Sequence, residues 1–268
     1  MFLTKKGLRK VLIMVACYFA LGSICFILAA HFENMGTDPE LLWELGILTY
    51  LLCAPVFFIG RYSEGKGKLI LLGGKFVQKE LKPAEFLKEY ESLRNSDNLV
   101  INKPSIEVLT IVASAYDSLD DKANTLKTMD EMIAVAGEKK IAYASLLKAS
   151  VLYSHYRIEE AEKLFAEVQR MKLDIMCSGL VDITLKSDRA MATEDYELAE
   201  VYYLKLLERK FPKPENLEKL IAHYRLGEIY EKLADHEKAV SYYQYCATNG
   251  GETAVKLSAI EKLQHLKS

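Results

Sequence analysis

One spacing constrains this chain more than any other feature. A small side chain, followed four residues later by a large one, recurs along the C-terminal part of the sequence. The pairs are Thr125 with Met129, Ala161 with Phe165, Ala199 with Tyr203, and Ala239 with Tyr243. Residues four apart lie on one face of a helix. The small residues follow one another at intervals of 36, 38 and 40 residues. The pattern predicts an all-α chain built from repeated helix pairs.

The distribution of apolar residues and prolines supports this division into helices. From about residue 82 onward, apolar residues recur at helical spacing, and no run of alternating strand residues appears. Prolines fall at the expected helix boundaries, namely at Pro83, Pro104, Pro212 and Pro214. One helix pair cannot bury its apolar face alone, so neighbouring pairs must stack. We expect the helices at 83–94 and 252–267 to cap the two ends of the stack.

The segment Leu220–Ala247 resembles the tetratricopeptide repeat. Leu226-Gly227 followed by Tyr230 matches the first helix of that family, and Ala239, Tyr243 and Cys246 match the second. The segment departs from the family at His223 and Gly251. The resemblance covers roughly residues 104–250 and implies an α-solenoid of helix-turn-helix repeats. The positions expected to pack the helices together are Ala149, Ala161, Phe165, Ala199, Tyr203, Gly227, Tyr230, Ala239 and Tyr243.

The resemblance also implies a binding surface. In this family the first helices line a concave face that commonly holds an extended peptide or a helix of a partner. The main positions that map to this groove are Asp117, Tyr153, Asp188, Tyr224, Glu228 and Glu231. Other groove positions carry hydroxyl, aromatic or apolar residues, namely Thr110, Ser114, Tyr143, Leu146, Ser150 and Thr184. This lining predicts a neutral or basic protein partner. The competing interpretation is that these residues form ordinary solvated helix faces.

Two apolar runs near the N-terminus predict a membrane anchor. Val11–Ala30 contains no charged residue, and Leu41–Ile59 contains only Glu44. A hydrocarbon core of about 30 Å requires about 20 apolar helical residues. We therefore expect two transmembrane helices at about 11–31 and 41–60. A cleaved signal peptide is the competing interpretation, but Leu28-Ala29-Ala30 lacks a small residue at its first position.

The charges around the two runs predict the topology of this hairpin. The loop at 31–40 contains no Lys or Arg, whereas basic residues flank both outer sides. They are Lys5, Lys6, Arg9 and Lys10 on one side and Arg61, Lys66, Lys68, Lys75, Lys79 and Lys82 on the other. The pattern is typical of a protein with both ends in the cytoplasm. It predicts a membrane hairpin over 1–60, a basic linker over 61–82 and a repeat domain over 83–268. The protein would then be a multi-pass protein of the plasma membrane, with the lipid bilayer as one partner.

The sequence offers no constellation for catalysis, a metal or a cofactor. The net charge of −2 argues against a nucleic-acid binder, and the five cysteines include no CxxC pair. Gly60–Lys66 has the spacing of a phosphate loop, but Gly67 stands where Ser or Thr should follow. We expect a non-enzymatic scaffold or adaptor. The alternatives are an accessory subunit of a membrane enzyme or transporter, suggested by Glu44 and Pro55, and a structural homo-oligomer.

Overall fold

The chain is described here from a computed structural model. This structure describes the backbone of residues 5–35, 40–94, 104–171 and 178–266. Within these ranges, the side chains of residues 5–15, 18, 50–65, 139 and 178–182 lie outside the description. The ordered elements of the described residues are all helical, and the chain divides into two compact units, 1–69 and 70–268.

The first unit contains helix α1, Lys5–Asn34, and helix α2, Glu40–Gly73, up to residue 69. The Phe26 and Trp43 rings pack with their centroids 5.2 Å apart. The Phe26 ring also covers Gly46, where an added Cβ would lie 3.1 Å from it.

The predicted membrane anchor is contradicted. In the part of the chain that the structure describes, no helix combines the length and the apolar character needed to cross a bilayer. The two transmembrane helices expected at 11–31 and 41–60 are therefore wrong, and so is the multi-pass plasma-membrane location inferred from them. A span requires about 20 consecutive apolar residues in one helix, and the described parts of α1 and α2 fall short of that length and apolar character.

The described residues of the second unit form a π-helical segment and ten α-helices. The π-helical segment is Gly74–Lys79. The helices are α3 (Pro83–Arg94), α4 (Ile106–Ser118), α5 (Lys122–Val135), α6 (Glu138–Ser154), α7 (Ile158–Gln169), α8 (Ser178–Ala192), α9 (Tyr196–Glu208), α10 (Asn216–Lys232), α11 (His236–Asn249) and α12 (Ala254–His265). Consecutive helices pack in pairs, α4 with α5, α6 with α7, α8 with α9 and α10 with α11. The expected end helices correspond to α3 and α12.

The four pairs share one turn geometry. In each turn a residue with φ near +60° precedes the residue that caps the second helix. These left-handed residues are Asp120, Tyr156, Glu194 and Ala234. In three of the turns an aspartate follows, and its carboxylate accepts the backbone N–H three residues later. The three are Asp121, Asp195 and Asp235. Such a cap stabilises a helix by about 1 kcal/mol. These three aspartates therefore stabilise the starts of the second helices.

The segment 74–82 joins the first helix pair to the last. The π-helical segment packs against α3, α4 and α10. The Asn216 side chain donates a hydrogen bond to the Lys79 carbonyl (2.8 Å), and the Glu252 N–H donates to the Leu81 carbonyl (2.8 Å). The second unit is therefore closed on itself, although the sequence assigns residues 61–82 to a linker.

We expect Gly251→Ala to weaken this closure by about 2 kcal/mol. Gly251 has a φ of +56°, and an added Cβ would lie 2.6 Å from both the Cβ and the carbonyl oxygen of Leu81. The left-handed backbone and the overlap both oppose a side chain there. Urea unfolding followed by circular dichroism measures the effect. Gly74→Ala is the control, because nothing lies within 4 Å of its Cβ position. Equal unfolding midpoints for the two variants would contradict the expectation.

Candidate functional site

The second unit contains a partly open cavity of about 770 Å³, called the central cavity. Its walls come from the first helix of each pair, from α12, from the loop between α9 and α10, and from Gln78 of the π-helical segment. The first helices bring their inner faces together because the small residues of each pair let the second helices pack closely behind them. Ala161, Ala199 and Ala239, which occupy these positions, are completely buried.

Helices α4 and α6 run parallel along the cavity. Lys140 and Glu107, near the starts of α6 and α4, form an ion pair with a 3.0 Å separation. At the other ends of the same helices, His155 Nε2 lies 2.9 Å from Asp117 Oδ1. The carbonyl ends of α4 and α6 therefore meet at one end of the cavity. Helix C-termini carry partial negative charge, so this end favours cations.

A buried carboxylate lies between the second and third pairs. Asp188 of α8 accepts hydrogen bonds from the Ser150 hydroxyl of α6 and from the Tyr203 hydroxyl of α9, the latter at 2.8 Å. Its residue is 7 % exposed. Burial raises the pKa of Asp188 to about 6, while Ser150, Arg225 and Tyr203 hold it down and Asp117 raises it further. The sequence identified Asp188 as a groove position but gave no sign of this network.

Arg225 of α10 crosses to the end of α6. Its Nη1 donates to Glu228 Oε2 (2.7 Å), and its Nη2 donates to the Ser154 carbonyl oxygen (3.1 Å). The guanidinium thus ties the fourth pair to the second and places a positive charge beside Asp188. Sequence reasoning missed Arg225, because the groove mapping selected its neighbours Tyr224 and Glu228. No sequence signal marked it, because α10 carries several other charged residues.

The structure brings four of the six main groove residues to the central cavity. These are Asp117, Asp188, Tyr224 and Glu228. Tyr153 is fully buried and lines a small adjoining pocket instead. Glu231 lies outside both linings, where its carboxylate accepts hydrogen bonds from Lys262 (2.9 Å) and Tyr243 (2.8 Å). Leu146 also lies outside both linings.

The remaining secondary groove positions line the central cavity. They are Thr110, Ser114, Tyr143, Ser150 and Thr184.

The packing residues lie between the helices. Tyr203 and Tyr243 are buried, as is Ala149. A Cβ added at Gly227 would lie 2.7 Å from the Tyr243 ring, so the absence of a side chain at Gly227 leaves room for that ring. Tyr230 stacks on Tyr242 at 5.4 Å and donates a hydrogen bond to Glu200. The half-buried Phe165 ring lies 5.5 Å below the Arg189 guanidinium.

Acids outnumber bases in the lining of the central cavity. The acids are Asp117, Asp120, Asp188, Glu215, Glu218 and Glu228. The bases are Lys122, Arg209, Lys213 and Arg225, together with His155. Ion pairs join Lys122 to Asp120, Arg209 to Glu218 and Arg225 to Glu228. Within the described ranges, no group of three or more His, Cys, Asp or Glu residues could hold a metal ion.

Comparison of the chain with protein-family models, with curated proteins and with solved structures gives no match in any of the three. The resemblance to the tetratricopeptide repeat therefore stays a prediction from the sequence.

Proposed function

We propose that this protein is a non-enzymatic scaffold, built from tetratricopeptide-like helix pairs, that binds a neutral or basic segment of a partner protein in the central cavity. One observation carries the proposal. Among the described residues, the first helices of all four pairs contribute hydroxyl, tyrosine and carboxylate side chains to the lining of this one partly open cavity. A surface assembled from four successive pairs suits an extended ligand that touches each pair in turn.

The size and chemistry of the central cavity support this function. Binding pockets commonly measure about 300–1,000 Å³ and combine apolar walls with a few polar groups. Tyr143 and Tyr224 provide aromatic area, while Ser114 and Thr184 provide hydroxyl groups. Tyrosine combines a large apolar ring with a hydrogen-bonding tip and is enriched at protein interfaces. The excess of carboxylates in the lining disfavours an acidic segment.

We expect Ala254→Trp to reduce partner binding by about tenfold or more, because an indole at this position fills part of the central cavity. The partner is detected by placing a photo-cross-linking benzoylphenylalanine at Tyr224 of the full chain in its native cells. Both Ala254 and Tyr224 line the central cavity. The cross-linked product is identified by mass spectrometry, and its yield is compared with and without Ala254→Trp.

Leu257→Trp is the matched control. Leu257 belongs to the same helix, α12, but is 64 % exposed and lies outside the lining. Its replacement is expected to leave the cross-link unchanged. A cross-link that survives Ala254→Trp at full yield would refute the cavity as the binding surface. A product with the mass of two copies of this chain would instead support the structural homo-oligomer.

A further inference from the structure

One residue in the lining of the central cavity comes from outside the helix pairs. Among the described residues, Gln78 of the π-helical segment is the one lining residue that precedes α4. A glutamine amide offers two N–H donors and a carbonyl acceptor. Within the described ranges, no residue forms a hydrogen bond with the Gln78 amide. Gln78 is partly buried, and both polar atoms of its amide remain accessible. The cavity wall therefore presents an unpaired amide that a ligand can reach.

The backbone on both sides of Gln78 is held in place. The preceding residue, Val77, is only 1 % exposed. The carbonyl of the following residue, Lys79, accepts the hydrogen bond from the Asn216 side chain of α10. A ligand that binds the amide therefore has to order only one side chain, which keeps the entropic cost of binding small. Turns of π-helix of this kind occur frequently at functional sites.

Three hydroxyl groups of the lining have already used their protons. Thr110 and Ser114 donate to carbonyl oxygens of their own helix, α4, at 2.8 and 2.9 Å. Ser150 donates to the Asp188 carboxylate. A hydroxyl has a single proton to donate, so these three groups face a ligand as acceptors. Gln78 adds N–H donors and an acceptor together, in one planar group.

The main chain of an extended polypeptide matches this amide. In an extended segment the N–H and the C=O of one residue point to the same side, where a neighbour can exchange two hydrogen bonds with them. A primary amide also carries a donor and an acceptor side by side, so it can take the place of that neighbour. The apolar residues Leu217 and Ile221 line the cavity on α10, which packs against the π-helical segment. Apolar surroundings strengthen hydrogen bonds between amides.

We propose that Gln78 binds the main chain of the partner's segment, by exchanging two hydrogen bonds with the N–H and C=O of one residue. The inference rests on the proposed function and specifies the conformation of the ligand. The segment is extended at this position, because the main-chain groups within a helix are already paired with each other. The contact is independent of the partner's side chain there, so it contributes affinity without selecting one residue type.

The test uses the full chain and a displayed library of random decapeptides. The tightest peptide that no longer binds Ala254→Trp is synthesised with a fluorescent label, and its Kd is measured by anisotropy. Gln78→Met keeps the length of the side chain but removes the amide, and circular dichroism verifies its fold. We expect Gln78→Met to weaken binding by about tenfold.

N-methylation of the peptide tests whether the main chain is the group that Gln78 binds. Each peptide N–H is methylated in turn, and one position is expected to weaken binding to the native chain by about tenfold. The same methylated peptide should bind Gln78→Met about as tightly as the unmethylated peptide does, because the hydrogen bonds have already been lost. Losses that multiply instead would show that the two groups do not contact each other, and would overturn the proposal.

Gln244→Met is the matched control. Gln244 of α11 is exposed and lies outside the lining of the central cavity, so this variant should bind the peptide with native affinity. If Gln78→Met also binds with native affinity, the contact with Gln78 is refuted and the scaffold function stands without it. If the library yields no peptide that depends on Ala254, the contact is refuted as well, and the cross-link at Tyr224 decides the scaffold function alone. If no partner cross-links there either, both proposals fail.

Discussion

Replacing Arg225 by methionine is expected to destabilise the second unit by about 3–5 kcal/mol at neutral pH. The substitution keeps most of the side-chain volume but removes the donors to Glu228 and to the Ser154 carbonyl. It also removes the positive charge that holds down the pKa of Asp188. A buried carboxylate that loses its counter-charge retains the full cost of its lost hydration. Urea unfolding of the full chain, followed by near-ultraviolet circular dichroism of the tyrosines, measures the change.

Arg157→Met is the matched control for this prediction. Arg157 also pairs with a glutamate three residues later, Glu160, through two hydrogen bonds of 2.7 and 2.6 Å. The two arginines differ in burial, because the Arg157 side chain is 44 % exposed and that of Arg225 is 15 % exposed. Exposed ion pairs contribute less than about 1 kcal/mol. Similar losses in the two variants would show that Arg225 acts as an ordinary surface residue.

The double variant Arg225→Met, Asp188→Asn locates the cost within the network. Asparagine cannot ionise, so it does not need the guanidinium charge. We expect the double variant to recover part of the stability that Arg225→Met loses. No recovery would assign the loss to the contacts with Glu228 and Ser154 alone.

Local spacing in the sequence corresponds closely to the helix pairs of the second unit. Helix periodicity is a property of neighbouring residues, so it can be read without knowledge of distant contacts. The left-handed turn residues Asp120, Tyr156, Glu194 and Ala234 recur at the same intervals of 36, 38 and 40 residues as the small residues. Gly227 beneath the Tyr243 ring likewise follows from a spacing between two adjacent helices.

The features that the sequence did not reveal depend on residues far apart in the chain. Closure of the second unit rests on Asn216 meeting the Lys79 carbonyl and on Gly251 meeting Leu81. The network in the cavity rests on Arg225 reaching Ser154. Each is a single contact between distant residues, so no periodic pattern in the sequence predicts it. The predicted membrane spans are a separate error, because no described helix has both the length and the apolar character that a span requires.

The second large effect concerns pH. The pKa of Asp188 is about 6 in the folded chain, against an ordinary value of 3.8, and burial is the main cause. Between these values the folded chain keeps a proton that the unfolded chain has lost. Stability therefore falls as pH rises from about 4 to about 6 and stays at the lower level at pH 7. Asp188→Asn removes this group. Between pH 4 and pH 7 the free energy of unfolding of the variant should therefore rise, relative to that of the native chain, by up to about 3 kcal/mol.

Asp235→Asn gives a control of opposite sign. Hydrogen bonds from the side chain and backbone N–H of Lys238 lower the pKa of Asp235, which caps α11. Its ionised form therefore stabilises the folded chain above the ordinary pKa, and this contribution is lost as pH falls. As the pH rises, the native chain should become more stable relative to Asp235→Asn and less stable relative to Asp188→Asn. Urea unfolding at a series of pH values distinguishes the two. The difference in the free energy of unfolding between Asp188→Asn and the native chain should therefore change with pH. A constant difference would show that the pKa of the Asp188 carboxyl is not raised by burial.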